Sequence, residues 1–123
     1  MQSSHKLFIN GKWVNGKENN TFDSYCPANG KFLSTCVEAA KEDMDFAVAP
    51  AWQAFKKWKG ISPENRSSYL LKIAHLLEKN AEKIAMVETM DNGKPICESS
   101  SIDLPLATDH FRYFTGVIRA DED

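Results

Sequence analysis

The chain contains few side chains that could do chemistry, and their spacing does not combine them into a site. A cysteine thiol or serine hydroxyl becomes a nucleophile only beside a base or a positive charge, and no such neighbour accompanies Cys26, Cys36 or Cys97. Cys26 and Cys36 fall in strand patterns, where a reduced cysteine packs as a small apolar group. The serines at 67–68 and 99–101 occupy helical or capping positions, where the hydroxyl bonds to the backbone. We expect structural roles for all of them.

Metal and phosphate chemistry are equally unsupported. His5 lies near the terminus, His75 on the polar side of a helical pattern, and His110 follows Asp109, which it cannot face from an adjacent helical position. No HExxH or CxxC spacing appears, and no GxGxxG or GxxxxGK[ST] loop. The residues by themselves therefore predict no active site.

Composition places the chain among ordinary globular proteins. Of its 123 residues, 42% are hydrophobic and 26% charged, and the net charge is −2. This balance argues against a nucleic-acid or anionic-membrane surface, and no apolar run reaches the ~18 residues of a membrane span. The N-terminus lacks the apolar region of a secretory signal. Three cysteines without a CxxC pair indicate reduced thiols, so we expect a cytoplasmic location.

Two β-hairpins are predicted over residues 6–38. In LFINGKWV, Asn10 and Gly11 separate two apolar runs, and Asn-Gly is the pair that a type I′ turn requires. In the second hairpin, TFDSYC and KFLSTCVEA flank a four-residue turn from Pro27 to Gly30.

Three helices are predicted over residues 41–59, 63–91 and 98–119. Ser62, Pro63 and Glu64 form a favourable start for the second helix. Its expected apolar face comprises Leu70, Ile73, Leu77, Ala81, Ile84 and Val87. Pro50 and Pro105 are expected to kink the first and third helices. The fold class is thus α+β, in a single domain of residues 1–123, with apolar helix faces that need covering.

The stretch ETMDNGKP, residues 88–95, reads as a helix end. Asn92 and Gly93 can supply the left-handed conformation of a C-cap, and Pro95 prevents the helix from continuing.

In order and spacing, FINGKWV, TFDSYCPANGK, VEAAKEDMDFAV, AFKKW and ETMDNGKP resemble the N-terminal part of the aldehyde dehydrogenase superfamily over about residues 6–120. The segment DLPLATDHFRYFTGVIRA resembles the branch that acts on acetaldehyde and other short-chain aliphatic aldehydes. The resemblance implies an oxidoreductase that converts an aldehyde to its carboxylic acid with NAD or NADP. In that family a cysteine attacks the aldehyde, hydride passes to the cofactor, and a glutamate-activated water hydrolyses the thioester. An asparagine stabilises the oxyanion.

The same resemblance implies that the catalytic cysteine, glutamate and asparagine lie downstream, as does the cofactor's GSTxxG stretch. No catalytic or cofactor-binding residue is therefore expected among these 123 residues, which should be an inactive fragment or truncated product with no bound cofactor. In a complete enzyme they would pack on an α/β cofactor domain. The alternative is a stand-alone, non-enzymatic helical module that binds itself or another polypeptide.

Two sets of residues receive roles from the resemblance. Asp91, with a backbone carbonyl near Ser24 or Tyr25, would bind a structural monovalent cation, since hard cations take oxygen ligands. Ile102, Leu106 and His110 would face the substrate entrance, although periodic apolar positions also suit ordinary core packing. A homo-oligomer is implied, and exchange of hairpins or helices between copies would cover the apolar faces. The only other partner expected is a small aldehyde, with no nucleic acid or membrane.

Overall fold

The computed structural model describes residues 4–120 and divides into two compact units, Met1–Gly60 and Ile61–Asp123. Chain length alone had suggested one domain. The first unit holds all the described strands and one helix, whereas the second is entirely helical. Because each half makes most of its contacts locally, two small cores form. The α+β class is confirmed.

The first hairpin joins β2 (Leu7–Ile9) to β3 (Lys12–Val14) in antiparallel register, with Phe8 opposite Trp13. Asn10 and Gly11 have φ of 50° and 75°. These positive values are what a two-residue type I′ turn needs, so the predicted hairpin is confirmed.

The second hairpin joins β4 (Thr21–Tyr25) to β5 (Phe32–Val37), with a register irregularity between Ser24 and Tyr25. The Gly30 N–H donates to the Cys26 carbonyl at 2.8 Å, which closes the expected turn. A short strand, β1 (Ser4–His5), pairs parallel with β5. Sequence reasoning missed β1 because two residues carry no periodicity and the pairing is non-local.

Helix α1 runs from Lys41 to Trp58, and its first turn contains a buried carboxylate, Asp43. Its oxygens accept backbone N–H groups from Ala40 at 2.9 Å and from Lys17 at 3.1 and 3.2 Å. A Cβ at Gly16 would lie 2.9 Å from the Glu38 carbonyl, so only glycine lets this loop approach so closely. The helix continues through Pro50 to its end at Trp58.

The second unit starts with α2 (Pro63–Lys79) and α3 (Ala81–Asn92). The prediction of one helix over 63–91 was wrong at Asn80, whose backbone leaves helical geometry at φ −111°, ψ 15°. The Asn80 side-chain amide donates to the Leu76 carbonyl at 2.8 Å. A short amide that bonds its own backbone competes with helix continuation, which explains the break.

The predicted helix over 98–119 is also divided. It consists of α4 (Ile96–Glu98), a π-helical turn (Ser99–Asp103) and α5 (Leu104–Ala120). In the π turn the Leu104 N–H donates to the Ser99 carbonyl, five residues earlier. Pro105, which was expected to kink the helix, has no N–H to donate and is the second residue of α5, so the π turn ends two residues before it.

Small side chains form the core of the second unit, where α2 packs on α5. Its buried residues are Ser67, Ala74, Ala85, Ser99, Leu104, Thr108 and Thr115. The expected aliphatic face is only partly covered in this chain: Leu70, Leu77, Ala81 and Ile84 are half-buried, whereas Ile73 and Val87 are exposed. Small residues let helix axes approach closely, and Leu104 is the one large aliphatic side chain among these buried residues. None of the helices described over residues 4–120 is long and apolar enough to cross a membrane.

Candidate functional site

The ETMDNGKP stretch ends α3 as predicted. Gly93 adopts the left-handed conformation with φ 82°, and its N–H donates to the Thr89 carbonyl at 3.0 Å. The Asn92 side chain then accepts the Lys94 N–H at 2.9 Å. Only glycine takes this backbone geometry without cost. The cap thereby directs the chain from α3 toward α4 and the π turn.

Two side-chain links join the end of α3 to the π turn. The Lys94 Nζ lies 2.5 Å from Asp103 Oδ2, and the Thr89 hydroxyl donates to the Ser99 hydroxyl at 3.0 Å. The hydrogen bond to Asp103 raises the pKa of the Lys94 ammonium, which therefore stays protonated. Sequence analysis singled out neither Lys94 nor Asp103. Their spacing of nine residues across a cap and a π turn corresponds to no helical or strand period.

The three entrance candidates lie on the π turn and α5. Ile102 is 58% exposed, Leu106 is 52% exposed, and His110 is exposed as well. The apolar stripe continues along α5 with Tyr113 and Val117, at helical spacing. Within the described residues Leu104, Thr108 and Thr115 fill the buried side of α5, and both the entrance role and core packing in a longer chain stay predictions for the exposed positions.

The predicted cation ligands lie in different units. Ser24 and Tyr25 flank the irregular register of β4 in the first unit, whereas Asp91 lies on α3 in the second. Over residues 4–120 no three acidic, histidine or cysteine side chains come together as metal ligands. The expected site uses one carboxylate and a backbone carbonyl instead of such a group, and it stays a prediction.

The cysteines do not form a reactive group. Cys26 is buried, Cys36 is half-buried, and no disulfide joins the three thiols. The expected packing role holds for Cys26. Cys97 is exposed on α4 and does not pack in this way.

The described residues do not fit a nicotinamide dinucleotide. A dinucleotide phosphate binds where a helix N-terminus offers unpaired N–H groups. Here the first turns of α1, α2 and α3 each carry an acid, and Asp43 and Ser62 already accept N–H groups at two of these ends. α5 continues directly from the π turn, and the Leu104 N–H at its start is already donated to the Ser99 carbonyl.

Comparison with known families decides the identity. The family model described as "Aldehyde dehydrogenase family" matches residues 13–123. This chain belongs to the aldehyde dehydrogenase family. The resemblance found in the sequence motifs is thus confirmed, and the chain corresponds to the N-terminal part of such enzymes.

Individual aldehyde dehydrogenases show how much of the family this chain represents. A long-chain-aldehyde dehydrogenase from an Acinetobacter species is 44% identical over 98% of the chain, and aldehyde dehydrogenase B from Escherichia coli is 40% identical over 99% of it. In both cases the chain spans 24% of the relative's length.

Solved structures agree. The aldehyde dehydrogenase KauB from Pseudomonas aeruginosa is 33% identical and superposes with a TM-score of 0.95 over 100% of the chain and 25% of its own. An NAD⁺ complex of a Bacillus cereus aldehyde dehydrogenase is 35% identical, with a TM-score of 0.88 over 92% of this chain and 23% of its own. The chain therefore spans about a quarter of the relatives it matches.

Proposed function

We propose that this chain forms the N-terminal part of an NAD(P)-dependent aldehyde dehydrogenase that oxidises a small aliphatic aldehyde to its carboxylic acid. The family match over residues 13–123 is the observation that carries this proposal. The location is cytoplasmic and the complete enzyme is a homo-oligomer.

This chain contributes one wall of the substrate entrance, which we call the aldehyde path. Ile102 on the π turn and Leu106 on α5 present exposed aliphatic side chains, and His110 is the one polar member of the set. An apolar wall with few polar groups suits a small alkyl aldehyde better than a charged one.

The chemistry itself is assigned to residues outside this chain. The first turns of α1, α2 and α3 each carry an acid, which disfavours a dinucleotide phosphate there, so NAD(P) is held elsewhere in the enzyme. The three cysteines have no activating neighbour in the sequence. The 123-residue polypeptide alone is accordingly inactive and binds no cofactor.

Grafting tests the proposal directly. The matching quarter of Escherichia coli aldehyde dehydrogenase B is replaced by this chain, and NAD(P)H formation is followed by absorbance with acetaldehyde, hexanal and dodecanal. We expect oxidation with the highest kcat/KM for the short aldehydes. The isolated chain, assayed in parallel, should form no NAD(P)H. A folded hybrid that oxidises none of the three would contradict the aldehyde dehydrogenase role, and a preference for dodecanal would contradict the short-chain assignment.

Two substitutions test whether Leu106 lines the substrate entrance. Leu106→Ala in the hybrid should lower the preference for acetaldehyde over hexanal by about tenfold, since a missing aliphatic group in an apolar pocket changes kcat/KM by about 10–200-fold. Leu71→Ala is the matched control, because Leu71 is also an exposed leucine but lies on α2. Equal effects of the two variants would remove Leu106 from the aldehyde path.

A second function, a self-associating module without enzymatic activity, is favoured by one observation. Large apolar side chains are extensively exposed on α1, including Met44, Trp52 and Phe55. The two functions are distinguished by the hybrid, because a module unrelated to catalysis would not restore aldehyde oxidation to the remaining three quarters of the enzyme.

A further inference from the structure

The π turn sets how the side chains before Leu104 are oriented relative to those that follow it on α5. A π turn closes over five residues, whereas an α-helical turn closes over four, so it contains one extra residue. One residue of an α-helix corresponds to about 100° of rotation. If Ser99–Asp103 relaxed to an α-helix, the side chains before Leu104 would turn by that amount relative to those after it. Ile102 lies before this point and Leu106 after it.

Two side-chain links tie this turn to the end of α3. Ser99, at the first position of the turn, is fully buried and bonds to Thr89. Asp103, at the last position, forms an ion pair with Lys94, and the two side chains are 36% and 32% exposed. We name Thr89, Lys94, Ser99 and Asp103 the α3–π clamp. These side chains contact the turn at its first and last residues, in addition to the backbone hydrogen bond from the Leu104 N–H to the Ser99 carbonyl.

We propose that Lys94 and Asp103 are positioning residues, which hold the π turn and thereby set how Ile102 and Leu106 face the aldehyde path. The part that concerns the aldehyde rests on the proposed function, whereas the structural part does not. Exposed ion pairs contribute little to global stability. The effect of this pair should therefore appear locally, at the turn, and in substrate preference.

Hydrogen exchange on the 123-residue chain tests the structural part. We expect Lys94→Met and Asp103→Asn each to accelerate exchange of the Leu104 amide by about fivefold, with little change at α2 amides, because the opening is local. Lys94→Arg should keep the slow rate. The matched control is Arg112→Met, which removes the 2.6 Å ion pair between Arg112 and Glu78. An unchanged Leu104 rate in Lys94→Met, or full exchange of that amide in the unaltered chain, would overturn the proposal.

Kinetics of the Escherichia coli hybrid test the part that concerns the aldehyde. Lys94→Met and Asp103→Asn should raise KM for acetaldehyde about tenfold while kcat stays within about twofold, because binding geometry changes and the reacting groups do not. Lys94→Arg should restore KM, and Arg112→Met should leave it unaltered. A general loss of folding would instead lower the amount of active enzyme, and hence the apparent kcat, without a selective rise in KM.

The outcomes separate the two proposals. If the Lys94 and Asp103 variants exchange faster but keep the same KM, the clamp does not position the aldehyde path, and the positioning role is wrong. An inactive but folded parent hybrid would contradict the proposed function, while the exchange result would still decide whether the clamp holds the π turn.

Discussion

At the scale of single residues, Asp43 connects the loop before β4 to the start of α1. Its carboxylate is almost fully buried and accepts backbone N–H groups from Lys17 and Ala40. The sequence indicated only that an acid in the first turn favours the helix dipole. Its contact with Lys17, 26 residues away, could not be read from local spacing.

Asp43→Asn should therefore destabilise the first unit by about 1–3 kcal/mol, the usual consequence of leaving buried hydrogen-bonding groups mismatched. The amide nitrogen would face a backbone N–H where the carboxylate oxygen accepted it. Urea unfolding followed by circular dichroism measures the change, with the exposed Asp45→Asn as the matched control. Equal stability of the two variants would show that the buried contacts of Asp43 contribute nothing.

At the scale of elements, the start of α2 predicts a dependence on pH. Hydrogen bonds from its own backbone N–H and from the Ser62 hydroxyl, together with the charge of Arg119, lower the pKa of Glu64. The ionised form is thus favoured in the folded state. The ionised Glu64 therefore adds to the free energy of unfolding above the ordinary glutamate pKa of about 4.3. This contribution is lost as the pH falls through the lowered pKa.

The measurement is the urea midpoint of the chain and of Glu64→Gln from pH 7 to pH 2.5. The chain should be the more stable of the two at neutral pH, and the difference should disappear at the acid end. Glu82→Gln, in the first turn of α3, serves as the control acid. A difference that stayed constant over the whole range would show that the charge of Glu64 is not responsible.

The α2–α5 contact predicts a strong dependence on side-chain size. Ala74 on α2 is 1% exposed, and adding volume to a closely packed position costs about 1–3 kcal/mol. Ala74→Leu should therefore lower the unfolding free energy by about that amount. His75→Leu places the same side chain at the next, exposed position and should change stability by less than about 0.5 kcal/mol. Thermal unfolding of both variants compares them, and a neutral Ala74→Leu would contradict the close contact.

At the scale of the whole molecule, exposed apolar area predicts self-association of the isolated chain. On α1, Val48, Ala51, Trp52 and Phe55 line an open apolar depression, and Trp52 is 63% exposed. Burying such groups is favourable by about 25 cal/mol per Å². Light scattering after size exclusion should therefore give a mass above the 13.9 kDa of one chain.

Trp52→Lys should shift that mass toward the single chain, because it removes apolar area and adds a charge. Gln53→Lys adds the same charge at the neighbouring exposed position and should leave the assembly largely intact. A single-chain mass for the unaltered protein at high concentration would rule out self-association through this surface.

Motifs along the chain were enough to identify the family and most of the strands and helices. Asn10-Gly11, Ser62-Pro63 and Gly93 act through backbone preferences that need no distant neighbour, and the structure has the turn, cap and helix end that they predict. The entrance roles of Ile102, Leu106 and His110 came from resemblance and stay predictions.

Which helix faces are buried, where the long helices break, and which side chains contact the π turn became known from the three-dimensional structure. Those features depend on residues far apart along the chain, such as Lys94 with Asp103 and α2 with α5. Hydrophobic periodicity pointed to the large aliphatic side chains as the core, yet the most buried residues of the second unit are alanine, serine and threonine, with Leu104. Periodicity shows that a face is apolar, whereas the closeness of the packed helices selects which face is covered.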